Sequence, residues 1–369
     1  MNRIAQTCLL IGLAGWIAAA QPDAFAASKP STKKPTAATA AKKRGIAENP
    51  YRGAIAVDAA TGSVLFEDKA DAKGYPASVL KLMDLLIILE KIQQGQLNLN
   101  DQVPASAKAS KTGGSQVWLA EKESFTLDEM LYALMVQSAN DAAVALAEKV
   151  AGSTEAFIDL MNQRAQQLGM TSTRFASVHG LPPSGGQEHD VTTARDLSVL
   201  CRELLKHKET LRYTSMRERP FRPDQGKKTV IMRTHNHLLG SVEGCDGLKT
   251  GYITEAGYSI AVTAQRKGRR VIAVVLGSAD RKVRDAKAAE LLSKGFLALP
   301  AEPVAVAAPA TPKPEPIGTA QPSARTTVET KPAEQKSESR SHYGAFMALG
   351  IVAISALAAA WWMKKNHWF

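Results

Sequence analysis

Residues 76–95, PASVLKLMDLLIILEKIQQG, are the stretch whose reading decides the fold. Pro76 bars helix just before it, apolar side chains recur at Leu80, Leu82, Met83, Leu85, Leu86, Leu89 and Ile92, and Gly95 stops the run. So many apolar positions predict a largely buried helix over 79–94 with Ser78 at its N-terminus. Lys81 follows by three residues, so it stands on the same face one turn on, within reach of the hydroxyl. A serine hydroxyl is a weak nucleophile that needs a base, and an amine is a base only when neutral. Burial and the positive end of the helix both disfavour the ammonium, which makes the pair a nucleophile and its base. The competing reading is an N-cap serine beside a surface lysine, as most Ser-x-x-Lys pairs are.

Two further triplets lie downstream. Ser138-Ala139-Asn140 follows a helix that Thr126 and Glu129 open as a capping box and that runs through Met130, Leu131, Leu134 and Met135; a second helix follows over 141–150. A polar break between two buried helices exposes its side chains in a cleft, where Ser138 could relay a proton and Asn140 could hydrogen-bond an amide. Alternatively, Asn140 and Asp141 cap the second helix. Lys249-Thr250-Gly251 leads an alternating strand, and Gly251 leaves room for another backbone, so an edge strand there can pair with an extended peptide. Second copies, Ser31-Thr32-Lys33-Lys34 and Lys111-Thr112-Gly113, lack these contexts and are set aside.

Around the triplets, residues 51–58 alternate as a strand, Ala59-Ala60-Thr61-Gly62 turns, and 63–67 forms a second strand. Strands return at 257–265 and 270–277 about a Lys267-Gly268 turn, and a last helix runs over 281–297. Strands from both ends with helices between predict an α/β chain of the α+β kind, one antiparallel sheet with a helical insertion.

The ends differ in kind. Arg3, the uncharged run 8–20 and Ala24-Phe25-Ala26 read as a signal peptide over 1–26, the alternative being an N-terminal membrane helix. Residues 343–363 carry no charge and would make a helix roughly 31 Å long, enough to span a membrane. Trp361 and Trp362 suit its interface, and Lys364-Lys365 the cytoplasmic side of a tail over 364–369. Segments 27–48, basic, and 301–341, rich in Ala and Pro, read as tethers, leaving 49–300 as the catalytic domain and 342–363 as the anchor. The net charge of +11 concentrates outside that domain: residues 1–47 hold seven basic groups against one acidic, residues 301–369 seven against five, which leaves +3 between them. Nothing points to nucleic-acid recognition. Cys201 and Cys245 read as free thiols, with a disulfide as the alternative, and no Cys/His spacing suggests a metal site or other cofactor.

Three stretches, Pro76-Ala77-Ser78-Val79-Leu80-Lys81-Leu82-Met83, Val136-Gln137-Ser138-Ala139-Asn140-Asp141-Ala142 and Asp246-Gly247-Leu248-Lys249-Thr250-Gly251-Tyr252, resemble the signature segments of the serine D-alanyl-D-alanine carboxypeptidases of the peptidase S11 kind, the low-molecular-mass penicillin-binding proteins. Gly113-Gly114-Ser115, Val178-His179-Gly180-Leu181 and Glu255-Ala256-Gly257-Tyr258 match further segments. The resemblance implies a β-lactamase-like fold: an antiparallel sheet flanked by helices, a helical subdomain, and the active site between them. It implies Ser78 as nucleophile on a stem peptide ending in D-Ala-D-Ala, Lys81 as base, Ser138 as proton relay, and Asn140 and Lys249 as substrate-binding groups. Thr250 and Arg284 would take the terminal carboxylate, and the backbone of Ser78 and Tyr252, next to Gly251, would hold the oxyanion. β-Lactams would enter the same path and stall. The chain departs from the family at His235-Asn236-His237, where an arginine is usual before the Asn. Three rivals stay open: a class A β-lactamase, which needs a glutamate that 175–189 does not offer in a recognisable motif; an endopeptidase cutting cross-links; and a membrane-tethered β-lactam sensor.

Overall fold

The computed structural model describes residues 45–222 and 229–300. Strand β1 (Gly53–Asp58) pairs with β2 (Val64–Asp68) as the expected hairpin, with β1 starting two residues later than the alternation suggested. The mirror-image match comes at the other end, where β8 (Gly257–Arg266) and β9 (Arg269–Ser278) form a hairpin. Between β1 and β9 the register is antiparallel, Gly53 opposite Leu276 and Asp58 opposite Val271. With β7 (Cys245–Ile253) the sheet has five strands in the order β2-β1-β9-β8-β7. The two ends of the described domain thus meet in one antiparallel sheet, as expected.

The period of two along these strands feeds two cores. Ala54, Ala56, Val271, Ala273 and Val275 pack on one face against Ala288, Leu291 and Leu292 of the last helix, α8 (Arg281–Ala298). Ile55, Val57, Ile272, Val274 and Leu276 point the other way, into the larger core around α1 (Lys81–Gln93). All of Leu80, Leu82, Met83, Leu85, Leu86 and Ile88 are fully buried there.

The helical insertion is less regular than its sequence suggested. It holds a small hairpin of β3 (Gln102–Pro104) and β4 (Ser124–Thr126), flanking α2 (Ala107–Ser110). Next come α3 (Leu127–Tyr132), α4 (Asn140–Ala151) and α5 (Thr154–Gln167). Only half of the expected capping box forms: the Thr126 hydroxyl accepts the Glu129 amide at 3.3 Å, but the Glu129 carboxylate turns to Arg219 at 2.6 Å. Helices α6 (Ala194–Leu204) and α7 (Thr210–Thr214) return the chain past a second hairpin, β5 (Glu218–Phe221) with β6 (Val230–Arg233). Both small hairpins escaped the sequence reading, since strands of three or four residues carry too little alternation to register. Cys201 is buried, Cys245 half-buried, and both are free thiols. The helix expected over 343–363 lies outside the described residues, as do the signal segment, the second tether and residues 27–44 of the first; residues 45–48, read as the end of that tether, instead pack on the domain, the Ile46 amide donating to the Glu255 carbonyl at 2.7 Å and the Glu48 amide to the Gly277 carbonyl at 2.9 Å. Among the described residues no helix is long and apolar enough to cross a membrane.

Candidate active site

Ser78 does not sit on α1 itself. It stands on a 3-10 turn, Ala77–Leu80, and Lys81 is the first residue of the α-helix. Ala77, just before the serine, adopts φ +47°, a left-handed conformation that a residue with a Cβ reaches only at a cost of about 1–3 kcal/mol. Two neighbouring backbones hold the turn there. A methyl group on Gly180 would lie 2.3 Å from the Ala77 carbonyl oxygen, and one on Gly251 would lie 2.5 Å from the Pro76 oxygen and 3.0 Å from the Ser78 nitrogen. The edge strand β7 therefore brings Gly251 against the turn that carries Ser78, the close approach its glycine was read to allow but with a different backbone as partner.

Lys81 is fully buried and its Nζ has three neighbours: Ser78 Oγ at 3.0 Å, Asn140 Oδ1 at 2.7 Å and the His179 carbonyl at 2.9 Å. Two of these are carbonyl-type oxygens that can only accept. A neutral amine has two protons and one lone pair, so its protons go to Asn140 and His179 and its lone pair faces the Ser78 hydroxyl. Burial pushes the Lys81 amine down to about 7, against the pull of Asp84, Asp190 and Asp141. At neutral pH a base is thus available at hydrogen-bonding distance from the serine.

Ser138 closes a π-helical turn, Ala133–Gln137, in the left-handed conformation (φ +61°, ψ +32°), and is nearly buried. Such π-turns recur at functional sites, and neither this one nor the strain at Ala77 could be read from residue types. Asn140 opens α4, and its amide nitrogen donates to the Ser115 carbonyl at 2.7 Å. Its side chain is committed at both ends, accepting from Lys81 and donating to the Gly113 carbonyl at 2.8 Å. It acts on the lysine and the Gly113 loop rather than reaching into the cavity. The segment 111–113, discarded as a triplet, contributes through that carbonyl.

The cavity beside Ser78 has a volume of about 290 Å³ and is lined by Ser138, Thr250, Tyr252, His237, Arg281 and Arg284, among others. Thr250 is nearly buried, and its hydroxyl makes no hydrogen bond to the described protein. Tyr252 is half-exposed and stacks on Tyr258 with centroids 4.2 Å apart. Lys249 lies beneath the strand, its Nζ donating to the Thr250 carbonyl at 3.0 Å. Burial first, then the charges of Lys81 and Arg284, holds that amine well below the usual lysine range. Arg284 is buried and already paired, its Nη2 2.6 Å from Asp285 and its Nη1 3.3 Å from the Ser259 carbonyl. Arg281, one turn earlier and exposed, makes no ion pair within 4 Å among the described residues; its Nη1 lies 2.8 Å from His237 Nε2. The sequence reading missed Arg281. The signal available was its spacing of three from Arg284 at the head of α8, which sets both guanidinium groups on one face. At the departure noted above, His235 is held neutral, pushed down to about 4 by burial and then by Lys249, so it does not stand in for an arginine.

Likeness to known proteins follows the same residues. A family model described as D-alanyl-D-alanine carboxypeptidase matches residues 38–280, which takes in every group placed above except Arg281, Arg284 and Asp285 of α8. DacF of Bacillus subtilis is 35% identical over 245 residues, and DacC of Escherichia coli 35% over 252; each alignment covers 66% of this chain, with 62% and 61% of the relative. The chain thus spans about three fifths of the length of the curated relatives it matches. Among solved structures, the D-alanyl-D-alanine carboxypeptidase DacD of Francisella tularensis superposes with a TM-score of 0.62 at 28% identity, covering 67% of this chain and 70% of that one. Penicillin-binding protein D2 of Listeria monocytogenes in its ampicillin-bound form gives 0.59 at 32% identity, covering 67% and 97%. Because the match spans the chain from before the Ser78 turn through β7 to β9, the chain belongs to the D-alanyl-D-alanine carboxypeptidase family, peptidase S11.

Proposed function

We propose that the protein is a serine D-alanyl-D-alanine carboxypeptidase that removes the terminal D-alanine from peptidoglycan stem pentapeptides through an acyl-enzyme. The observation that carries the reading is the Lys81 amine, buried, held by two carbonyl oxygens and turned by its remaining valence to Ser78 at 3.0 Å. Ser78 Oγ attacks the carbonyl between the two terminal D-alanines while its proton passes to Lys81. Collapse of the tetrahedral species expels D-alanine, with Ser138 delivering the proton to the leaving nitrogen. Water then releases the acyl group. The backbone N–H groups of Ser78 and Tyr252 receive the oxyanion, a role that the approach of Gly251 to the Ser78 nitrogen supports. Thr250, Arg284 and Arg281 bind the terminal carboxylate. Asn140 fixes Lys81, and Lys249 adds what positive potential its burial leaves.

β-Lactams acylate the same serine, in keeping with the ampicillin and cefotaxime forms of the Listeria relative. The catalytic domain, 49–300, works outside the cytoplasm. Residues 1–26 direct its export, the segments 27–44 and 301–341 act as tethers, and the helix over 342–363 anchors it in membrane lipid with 364–369 on the cytoplasmic side. The test is release of D-alanine from a stem pentapeptide together with covalent labelling by a fluorescent penicillin, both lost in Ser78→Ala. Labelling without D-alanine release, or release only from a cross-linked dimer, would replace this reading with the sensor or the endopeptidase.

A further inference from the structure

Three carboxylates lie around Lys81, and they are treated differently. Asp141, at the head of α4, accepts from the amides of Val117, Leu119 and Ala142. Asp190, in the loop before α6, accepts from the amides of Ala176 and Ser177 and from the Ser177 hydroxyl at 2.7 Å. Their lone pairs are spent on holding backbone. Asp84 is 2% exposed, and neither of its carboxyl oxygens has a hydrogen-bond partner among the described residues. A buried carboxyl left without a single donor is costly and uncommon, so its place in the core calls for a reason.

Its position supplies one. Asp84 follows Lys81 by three residues on α1, and helical side chains lean toward the N-terminus, so the carboxyl leans toward the turn that carries the amine. Lys81 has no salt-bridge partner within 4 Å among the described residues, and its three polar neighbours are uncharged. When it takes the Ser78 proton it becomes an ammonium buried in the core. That charge needs an opposite one nearby, and Lys249 of β7, when protonated, only opposes it.

We propose that Asp84 is a positioning residue whose carboxylate stands as the counter-charge to Lys81 during acylation, which deepens the function proposed above and rests on it. As the Ser78 Oγ–carbon bond forms, the O–H bond breaks and the proton moves to the Lys81 lone pair, while the carbonyl π pair moves to oxygen. The buried charges change from one carboxylate beside a neutral amine to an ion pair, and Asp84 neither gains nor loses a proton. Burial raises the Asp84 carboxyl well above its usual range, and the charge of Lys81 pulls it back down.

The test is the pH profile of acylation by a fluorescent penicillin in the full-length protein, for wild type, Asp84→Asn and the smaller neutral Asp84→Ser. Losing the carboxylate removes what favours the ammonium. The acid limb should therefore move to lower pH by about one unit or more. With a weaker base, the plateau rate should fall about 3- to 10-fold. A residue that merely packs would lower the plateau without moving the limb. An acid limb that stays in place in either folded variant overturns the inference, because it means Asp84 is uncharged throughout. If both variants unfold, the wild-type protein decides by infrared difference spectroscopy: a buried protonated-carboxyl band that persists above the acid limb, and is unaltered by Lys81→Met, overturns the inference, and its absence there supports it. A wild-type protein that is not labelled at all would instead refute the proposed function.

Discussion

The two ends of the Ser78 cavity are built on opposite plans. At the chemical end, Lys81, Asn140 and the His179 and Gly113 carbonyls spend their hydrogen-bonding capacity on one another, out of water. At the recognition end, the Thr250 hydroxyl and the Arg281 guanidinium keep donors that no carboxylate of the described protein takes. Groups fixed before substrate arrives can favour the transition state, since no reorganisation is then needed. Groups left open can bind a ligand, since only unspent donors gain by it. Substitution at the first end should therefore lower rate, and substitution at the second should raise KM.

The largest expected effect is Lys81→Ala, which should slow acylation by a fluorescent penicillin about 10²- to 10⁴-fold, the usual worth of a positioned base, with Ser78 still present. A rate within tenfold of wild type would move the base elsewhere and dissolve the contrast between the ends. Gly251→Ala comes next. Its methyl would press on the Pro76 carbonyl and displace the nucleophile's turn, so acylation should fall about 10²-fold, the scale of a misplacement near 1 Å.

How far the sequence foretold these two ends differs in the same way. The helix behind Ser78, the sheet drawn from both chain ends and the edge position of β7 were legible, because each rests on a long run of period two or on apolar crowding. The 3-10 turn under Ser78 and the left-handed Ala77 were not, because Gly180 and Gly251 pack against them from distant segments, and the left-handed Ser138 was not, because no local residue choice announces it. The triplets pointed to side chains that the fold brings together, yet the inward commitment of Asn140 and the burial of Lys249 depend on neighbours more than twenty residues away. Arg281 was missed because one exposed arginine in a basic helix start looks like any other.

Smaller effects sharpen the contrast. The acid limb of acylation should centre near the Lys81 value of about 7. Below it the ammonium dominates, so the rate should drop about tenfold per pH unit and recover fully as pH rises; an acylation rate flat from pH 5 to 8 would show that Lys81 is not the base. At the open end, Arg281→Ala should raise KM for the pentapeptide about tenfold with kcat nearly unchanged, the loss expected for one charged hydrogen bond. A substrate whose terminal carboxylate is capped as an amide should show no such difference between Arg281→Ala and wild type. A fall in kcat instead would place Arg281 with the chemical end.

The central claim, that Ser78 is the nucleophile, meets its most direct test in mass spectrometry of the penicillin-labelled full-length protein. After proteolysis, a single adduct should appear on the peptide carrying Ser78, and none on the peptide carrying Ser138. An adduct on Ser138, or one that survives Ser78→Ala, would contradict the account.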